Sequence, residues 1–229
     1  MKPDVIVAWP RSEDYPLWRR FVADERERFA KVIVSFTPPL GGDKARDISG
    51  WINANFDATF VEPDYSDGRD WRDTAVNAAL DRSDAEWVWF TEQDFLVRQP
   101  DVFWWAVDVC DVRDTAFGIR EHGTGRWHPA CLFARREVIN QTERYFGGDP
   151  VDHFYRFGSQ LGPVRPMPIL PDCDFEHLAG TSQNHFLIDR GESVGVYHPE
   201  RFRRYLADCL EAGVPLEPTW AERARREVS

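Results

Sequence analysis

The sequence predicts an α/β fold, a mostly parallel sheet flanked by helices within a single domain. Short apolar, β-branched runs alternate with amphipathic segments through residues 4–97, the order that builds a parallel sheet with right-handed crossovers. A chain of 229 residues with 42% hydrophobic content suits one full core; two equal domains would each be rather small. Directly after the fourth apolar run stand two acids, Glu92 and Asp94, where such sheets place their chemistry.

Each element follows from its residues. Asp4–Pro10 (DVIVAWP) reads as a strand buried on both faces. Ser12 and Asp14 offer N-caps and Pro16 suits a first helical turn. A helix is therefore expected over Tyr15–Phe29, with Leu17, Phe21, Val22 and Phe29 on its apolar stripe. Lys31–Thr37 is a second strand, halted by Pro38-Pro39 and Gly41-Gly42, and Ala58–Glu62 is a third. Asp70–Arg82 reads as a helix with Trp71, Ala75, Ala78 and Ala79 inward, and Glu86–Phe90 as the fourth strand.

Beyond residue 98 the pattern is mixed. Helices are expected over Asp101–Cys110, Arg135–Thr142 and Asp152–Gln160, and short strands over Thr115–Arg120 and Cys131–Ala134. A proline-rich stretch leads into Phe175–Phe186. The last helix, Pro199–Glu211, uses Phe202, Tyr205, Leu206 and Leu210. No internal repeat is present. Of the ten tryptophans, Trp87, Trp89, Trp104 and Trp105 lie in apolar runs and are assigned to the core.

Composition excludes several classes. The longest purely apolar runs hold about five residues, against the roughly 20 of a membrane span. Asp4, Arg11, Glu13 and Asp14 occupy the place of a signal-peptide core. A soluble cytoplasmic protein without membrane insertion is expected. The net charge of −11 repels nucleic acid unless cations cluster. Arg201–Arg204 and Arg223–Arg226 read as solvated helix faces, with a polyanionic acceptor such as DNA as the alternative. Cys110, Cys131, Cys173 and Cys209 form no C-x-x-C pair and read as buried free thiols. G-x-G-x-x-G, P-loop and G-x-S-x-G motifs are absent.

In open α/β sheets ligands bind beyond the carboxyl ends of the strands. On an extended backbone Glu92 and Asp94 point to one side and can share a hard cation. Spacing alone describes equally well a polar strand end with solvated acids.

The opening strand DVIVAWP, the helix RDWRDTAVNAAL and the segment EWVWFTEQDFLV together resemble the GT-A glycosyltransferases, particularly the family-2-like ones. In that family a helix of R-x-x-A-x-N-x-A character precedes an acid-x-Asp strand, and Arg72, Asn77 and Ala78 correspond to it loosely. The resemblance spans roughly residues 4–97. It implies one GT-A-like (Rossmann-like) domain over 1–229, with a nucleotide-sugar-binding half at 1–98 and an acceptor-binding half at 99–229. The implied activity is metal-dependent transfer of a hexosyl or pentosyl group from a nucleoside-diphosphate sugar. The acceptor is a hydroxyl on a glycan, a small molecule or a hydroxylated DNA base.

The resemblance also assigns roles. Asp94 is the first metal ligand and Glu92 the second, or a ribose contact, since the family has Asp where Glu92 stands. Trp9 and Pro10 lie near the base and Arg11 near a phosphate; Asp64 meets ribose or base, and Arg72 the diphosphate. Trp127, within GTGRWHPACLFA, walls an acceptor sugar subsite, because aromatic faces pack on pyranose C–H groups. Asp149 or Asp152, within GGDPVDH, is the general base; Asp149 before Pro150 equally reads as an N-cap. His177 or His185 supplies a further metal ligand. Imidazole with carboxylates suits Mn2+, and an all-oxygen shell suits Mg2+.

Two alternatives stand beside this reading. A nucleotidyltransferase also uses metal-binding carboxylates on an α/β sheet, but its glycine-rich Lys/Arg loop is missing from AWPRSEDY. A non-catalytic nucleotide- or glycan-binding protein of the same fold would accommodate the Glu-for-Asp change.

Overall fold

Strands made of Val, Ile, Trp and Phe need cover on both faces, and the sheet provides it. The computed structural model describes residues 1–9, 16–36, 57–66, 71–92, 95–120, 127–142, 175–177 and 199–213. Strands β1 (Asp4–Trp9), β2 (Val32–Phe36), β3 (Ala58–Val61), β4 (Trp87–Thr91), β6 (Phe117–Arg120) and β7 (Trp127–Arg135) form one sheet in the order β3-β2-β1-β4-β7-β6. The β3-β2-β1-β4 half is parallel, while β4–β7 and β7–β6 are antiparallel. The expected mostly parallel sheet flanked by helices is thus present as a single domain.

Alternation along the strands divides the core. Val5, Val7, Val32, Val34, Trp87 and Trp89 face α1 (Pro16–Asp24), α3 (Pro100–Arg113) and α5 (Pro199–Glu211). Ile6, Ile33, Val88 and Phe90 face the other way, onto α2 (Trp71–Leu80) and α4 (Arg136–Asn140). The first cluster centres on Trp89, which is stacked at 5.9 Å on Phe29 and tilted at 4.7 Å to Phe103. At the amino end of the sheet Asp4 is fully buried. Its Oδ2 accepts the Ser83 hydroxyl at 2.7 Å and the Asp84 and Ala85 amides at 3.2 and 3.1 Å, fixing the turn that enters β4.

Several expectations are corrected. The first helix ends at Asp24 rather than Phe29: a 3-10 turn over Arg26–Arg28 reverses the chain, and Phe29 is extended. It remains buried, because the turn swings its ring under Trp89. The short strand expected over Cys131–Ala134 is the nine-residue β7. A small antiparallel pair, β5 (Phe95–Val97) with β8 (Phe175–His177), was not foreseen. Trp105 is not core but 55% exposed; α3 is apolar around most of its circumference, so periodicity does not tell its inner face from its outer one. On α5 Cys209 is buried where Leu210 was expected, and Leu210 is 38% exposed. Cys110 and Cys131 are buried free thiols, as is Cys209. Cys173 and the expected helix Asp152–Gln160 lie outside the described residues.

Trp89→Ala should cost about 3–5 kcal/mol in urea unfolding. Asp4→Ala should cost about 2–3 kcal/mol, because it leaves buried donors unpaired. Trp105→Ala should change stability by less than about 0.5 kcal/mol.

Candidate functional site

Parallel strands bring their carboxyl ends to one edge, and loops at that edge need not be apolar. Trp9 ends β1 and Thr91 ends β4, two pairs apart in register from the centre of the sheet outward, with Val7 opposite Thr91. Glu92 follows at once and is half-buried. Its carbonyl accepts the Phe95 amide at 3.2 Å, which ties the end of β4 to the start of β5.

Phe95 opens β5 and pairs with His177, the last residue of β8. The backbone of His177 thus stands directly opposite the residue that follows Asp94. On the other side of β4, Thr91 pairs with Cys131, so residues 127–130 of β7 run on past the last β4–β7 pair. At about 3.3 Å per residue they carry Trp127 roughly 13 Å beyond it.

Asp64 follows β3 and is exposed. Its Oδ1 accepts the Ser66 amide at 2.9 Å, and the Ser66 hydroxyl, followed by that amide, holds the carboxyl below its ordinary value. The neighbouring Tyr65 hydroxyl donates to the carbonyl of Phe36, the last residue of β2. This bond ties the Asp64 segment to the same edge of the sheet. Arg72 is the second residue of α2. Because α2 connects two parallel strands, its amino end lies at that edge too.

The described backbone thus gathers Trp9, Asp64, Arg72, Glu92, Trp127 and His177 along the carboxyl edge. Pro10, Arg11, Asp94, Asp149, Asp152 and His185 lie outside the described residues. Among the described side chains no group of three His, Cys, Asp or Glu is assembled. No described helix is long and apolar enough to cross a membrane.

Two other features carry different roles. A cavity of about 470 Å3 between α1, β5 and α5 contains Arg20, Arg98 and Asp208. Its charges are engaged in holding α5: Arg98 pairs with Asp208 at 2.8 Å, and Arg20 donates to the Ala212 carbonyl at 2.9 Å. Burial pushes the Cys110 and Cys131 thiols up to about 12, so neither is a nucleophile at neutral pH. Sequence reading missed Thr91, Trp18 and Tyr65. Thr91, the one hydroxyl closing the run EWVWFT, was the available signal.

No family model matches the chain, and no curated protein matches it by sequence. Among solved structures it is similar to the mannosyltransferase PcManGT from Pyrobaculum calidifontis, in complex with GDP-Man and Mn2+. That match has 16% identity and a TM-score of 0.56, covering 99% of this chain and 69% of that one. It is also similar to S. aureus TarS 1-349, at 14% identity and a TM-score of 0.56, covering 99% and 68%. The same protein in complex with UDP-GlcNAc matches at 15% identity and a TM-score of 0.51, covering 99% and 69%. The fold is that of the GT-A glycosyltransferases.

The Tyr65 bond has a pH signature. Burial raises the phenol to about 12 from 10.0, so the folded state holds this proton more tightly than the unfolded chain. Its stabilisation is complete below pH 10 and is lost as pH rises towards 12. The difference in Tm between wild type and Tyr65→Phe should be level up to about pH 10 and shrink above it.

Proposed function

We propose that the protein is a metal-dependent glycosyltransferase that moves a sugar from a nucleoside-diphosphate donor to a hydroxyl acceptor. The register of β5 on β8 carries this reading: Phe95, next to Asp94, pairs with His177 directly beyond the end of β4. In this reading Glu92, Asp94 and His177 would offer two carboxylates and one imidazole, a donor chemistry that suits Mn2+. The similarity to PcManGT, solved with GDP-Man and Mn2+, and to TarS, solved with UDP-GlcNAc, supports it. His185 is the alternative imidazole. A divalent cation held by these residues would supply positive charge against the departing diphosphate.

The remaining roles belong to the chain. Trp9, Pro10 and Asp64 bind the base and ribose, and Arg11 and Arg72 meet the diphosphate. Residues 1–98 hold the donor and 99–229 the acceptor, which packs on Trp127. Asp149 or Asp152 takes the proton of the acceptor hydroxyl as its oxygen bonds to the anomeric carbon. The bond from that carbon to the diphosphate oxygen breaks, and the diphosphate leaves with the electron pair. A nucleotidyl transfer is disfavoured by residues 8–15, AWPRSEDY, which contain no glycine to cradle a triphosphate.

Calorimetric titration with UDP, GDP, CDP and TDP, each with and without Mn2+, tests this reading. One nucleotide should bind, and only with the metal. Asp94→Asn should weaken that binding roughly thirtyfold or more, equivalent to about 2 kcal/mol, without lowering Tm. Failure of all four to bind folded protein, or unchanged binding by Asp94→Asn, would overturn it.

A further inference from the structure

Strand β4 does not simply stop at the acid pair; it is pinned there. Thr91 is 4% exposed and Trp18, on α1, is 1% exposed. The Trp18 indole Nε1–H donates to Thr91 Oγ1 at 3.2 Å. An indole nitrogen only donates, so the threonine oxygen accepts this bond and keeps its own proton free to give. That proton goes to the Glu92 carbonyl, at 2.9 Å. The same carbonyl takes the Phe95 amide at 3.2 Å. Both lone pairs of one carbonyl oxygen are thereby engaged, one from the core and one from the start of β5. The peptide leaving Glu92 is held by two donors, a side-chain hydroxyl and a backbone amide.

The position of this carbonyl matters because of what flanks it. It belongs to Glu92 itself and closes back on Phe95, the residue after Asp94. Phe95 in turn sets the register of β8 through its pairing with His177. A tilt of the Glu92 peptide would therefore be felt at Phe95 and at the β5–β8 pair. The hydroxyl is also the only side-chain acceptor on β4, a strand otherwise made of Trp, Val, Trp and Phe. A valine of the same shape would fill the space equally well, yet would remove both the acceptor facing the Trp18 indole and the donor to the Glu92 carbonyl.

We propose that Trp18 and Thr91 are positioning residues for the metal site: their hydrogen-bond relay fixes the Glu92 peptide and, through it, the β5–β8 pair. The inference rests on the glycosyltransferase reading, and it adds residues that touch neither donor nor acceptor. Partners in the outer shell of a metal site typically alter metal affinity by about 10–100-fold.

The test compares wild type, Thr91→Val, Thr91→Ser and Asp94→Asn. Mn2+ alone is the probe, followed by the paramagnetic resonance of the free ion, and amide hydrogen exchange at Phe95 is read in parallel. Thr91→Val should weaken Mn2+ binding by about tenfold and speed Phe95 exchange by a similar factor, while β1 and β2 amides keep their protection. Thr91→Ser, which retains the hydroxyl, should restore both. Should Thr91→Val fold poorly, Trp18→Phe removes the indole donor and keeps a ring; it should shift both readouts in the same direction. If Asp94→Asn loses Mn2+ but Thr91→Val matches wild type in affinity and exchange, the relay has no positioning role. If Asp94→Asn binds Mn2+ as wild type does, the metal reading itself fails and this inference falls with it.

Discussion

Strand β4 is enclosed on every side, and this enclosure governs the rest of the molecule. It is hydrogen-bonded to β1 on one edge and β7 on the other, and all five of its residues are buried. Trp87 and Trp89 project into the layer containing α1, α3 and α5, and Val88 and Phe90 into the layer containing α2 and α4. A segment so enclosed cannot slide, since a slip of one residue would exchange the tryptophans with the smaller face. Its last residue is therefore a fixed point, and the polar chain beyond it starts from a defined place.

The two ends of the sheet solve opposite problems. At the amino end the polar groups close on one another. Asp4 caps the turn at residues 83–85, Lys31 pairs with Asp84 at 2.8 Å, and Arg135 pairs with Glu86 and Asp114. At the carboxyl end the backbone is anchored, by Thr91 to Glu92 and by Tyr65 to Phe36, while the exposed Asp64 carboxylate is oriented by Ser66. A rigid scaffold ending in oriented polar groups is what a binding site for a charged, flexible donor requires.

Much of this was legible in the sequence because burial on both faces writes a distinctive pattern. DVIVAW, VIVSF and WVWFT each give a continuous apolar run, and all three are strands within a residue or two of their expected limits. Helix α5 falls exactly where its amphipathic stripe puts it, from Pro199 to Glu211. The orientation of β7 was not legible, because an antiparallel strand next to a parallel one carries the same apolar signature. Nor was the exposure of Trp105, on a helix with apolar residues all round. The β5–β8 pair joins residues some 80 positions apart, a separation that no local pattern records. Among candidate site residues, Glu92 stood out in the sequence because its place after a buried strand is a local fact. Thr91 and Trp18 did not stand out because the hydrogen bond that joins them spans 73 positions.

The central claim is that the carboxyl edge of β4, between β1 and the β5–β8 pair, holds a divalent cation. Paramagnetic broadening by Mn2+ of the amide resonances of 15N-labelled protein reports that location directly. The account predicts that the Glu92, Phe95 and His177 amides broaden first and Trp9 next, while Asp84, Glu86 and Gln141 at the opposite end of the sheet stay sharp. Broadening centred on the opposite end, or spread evenly over the acidic surface, would contradict it.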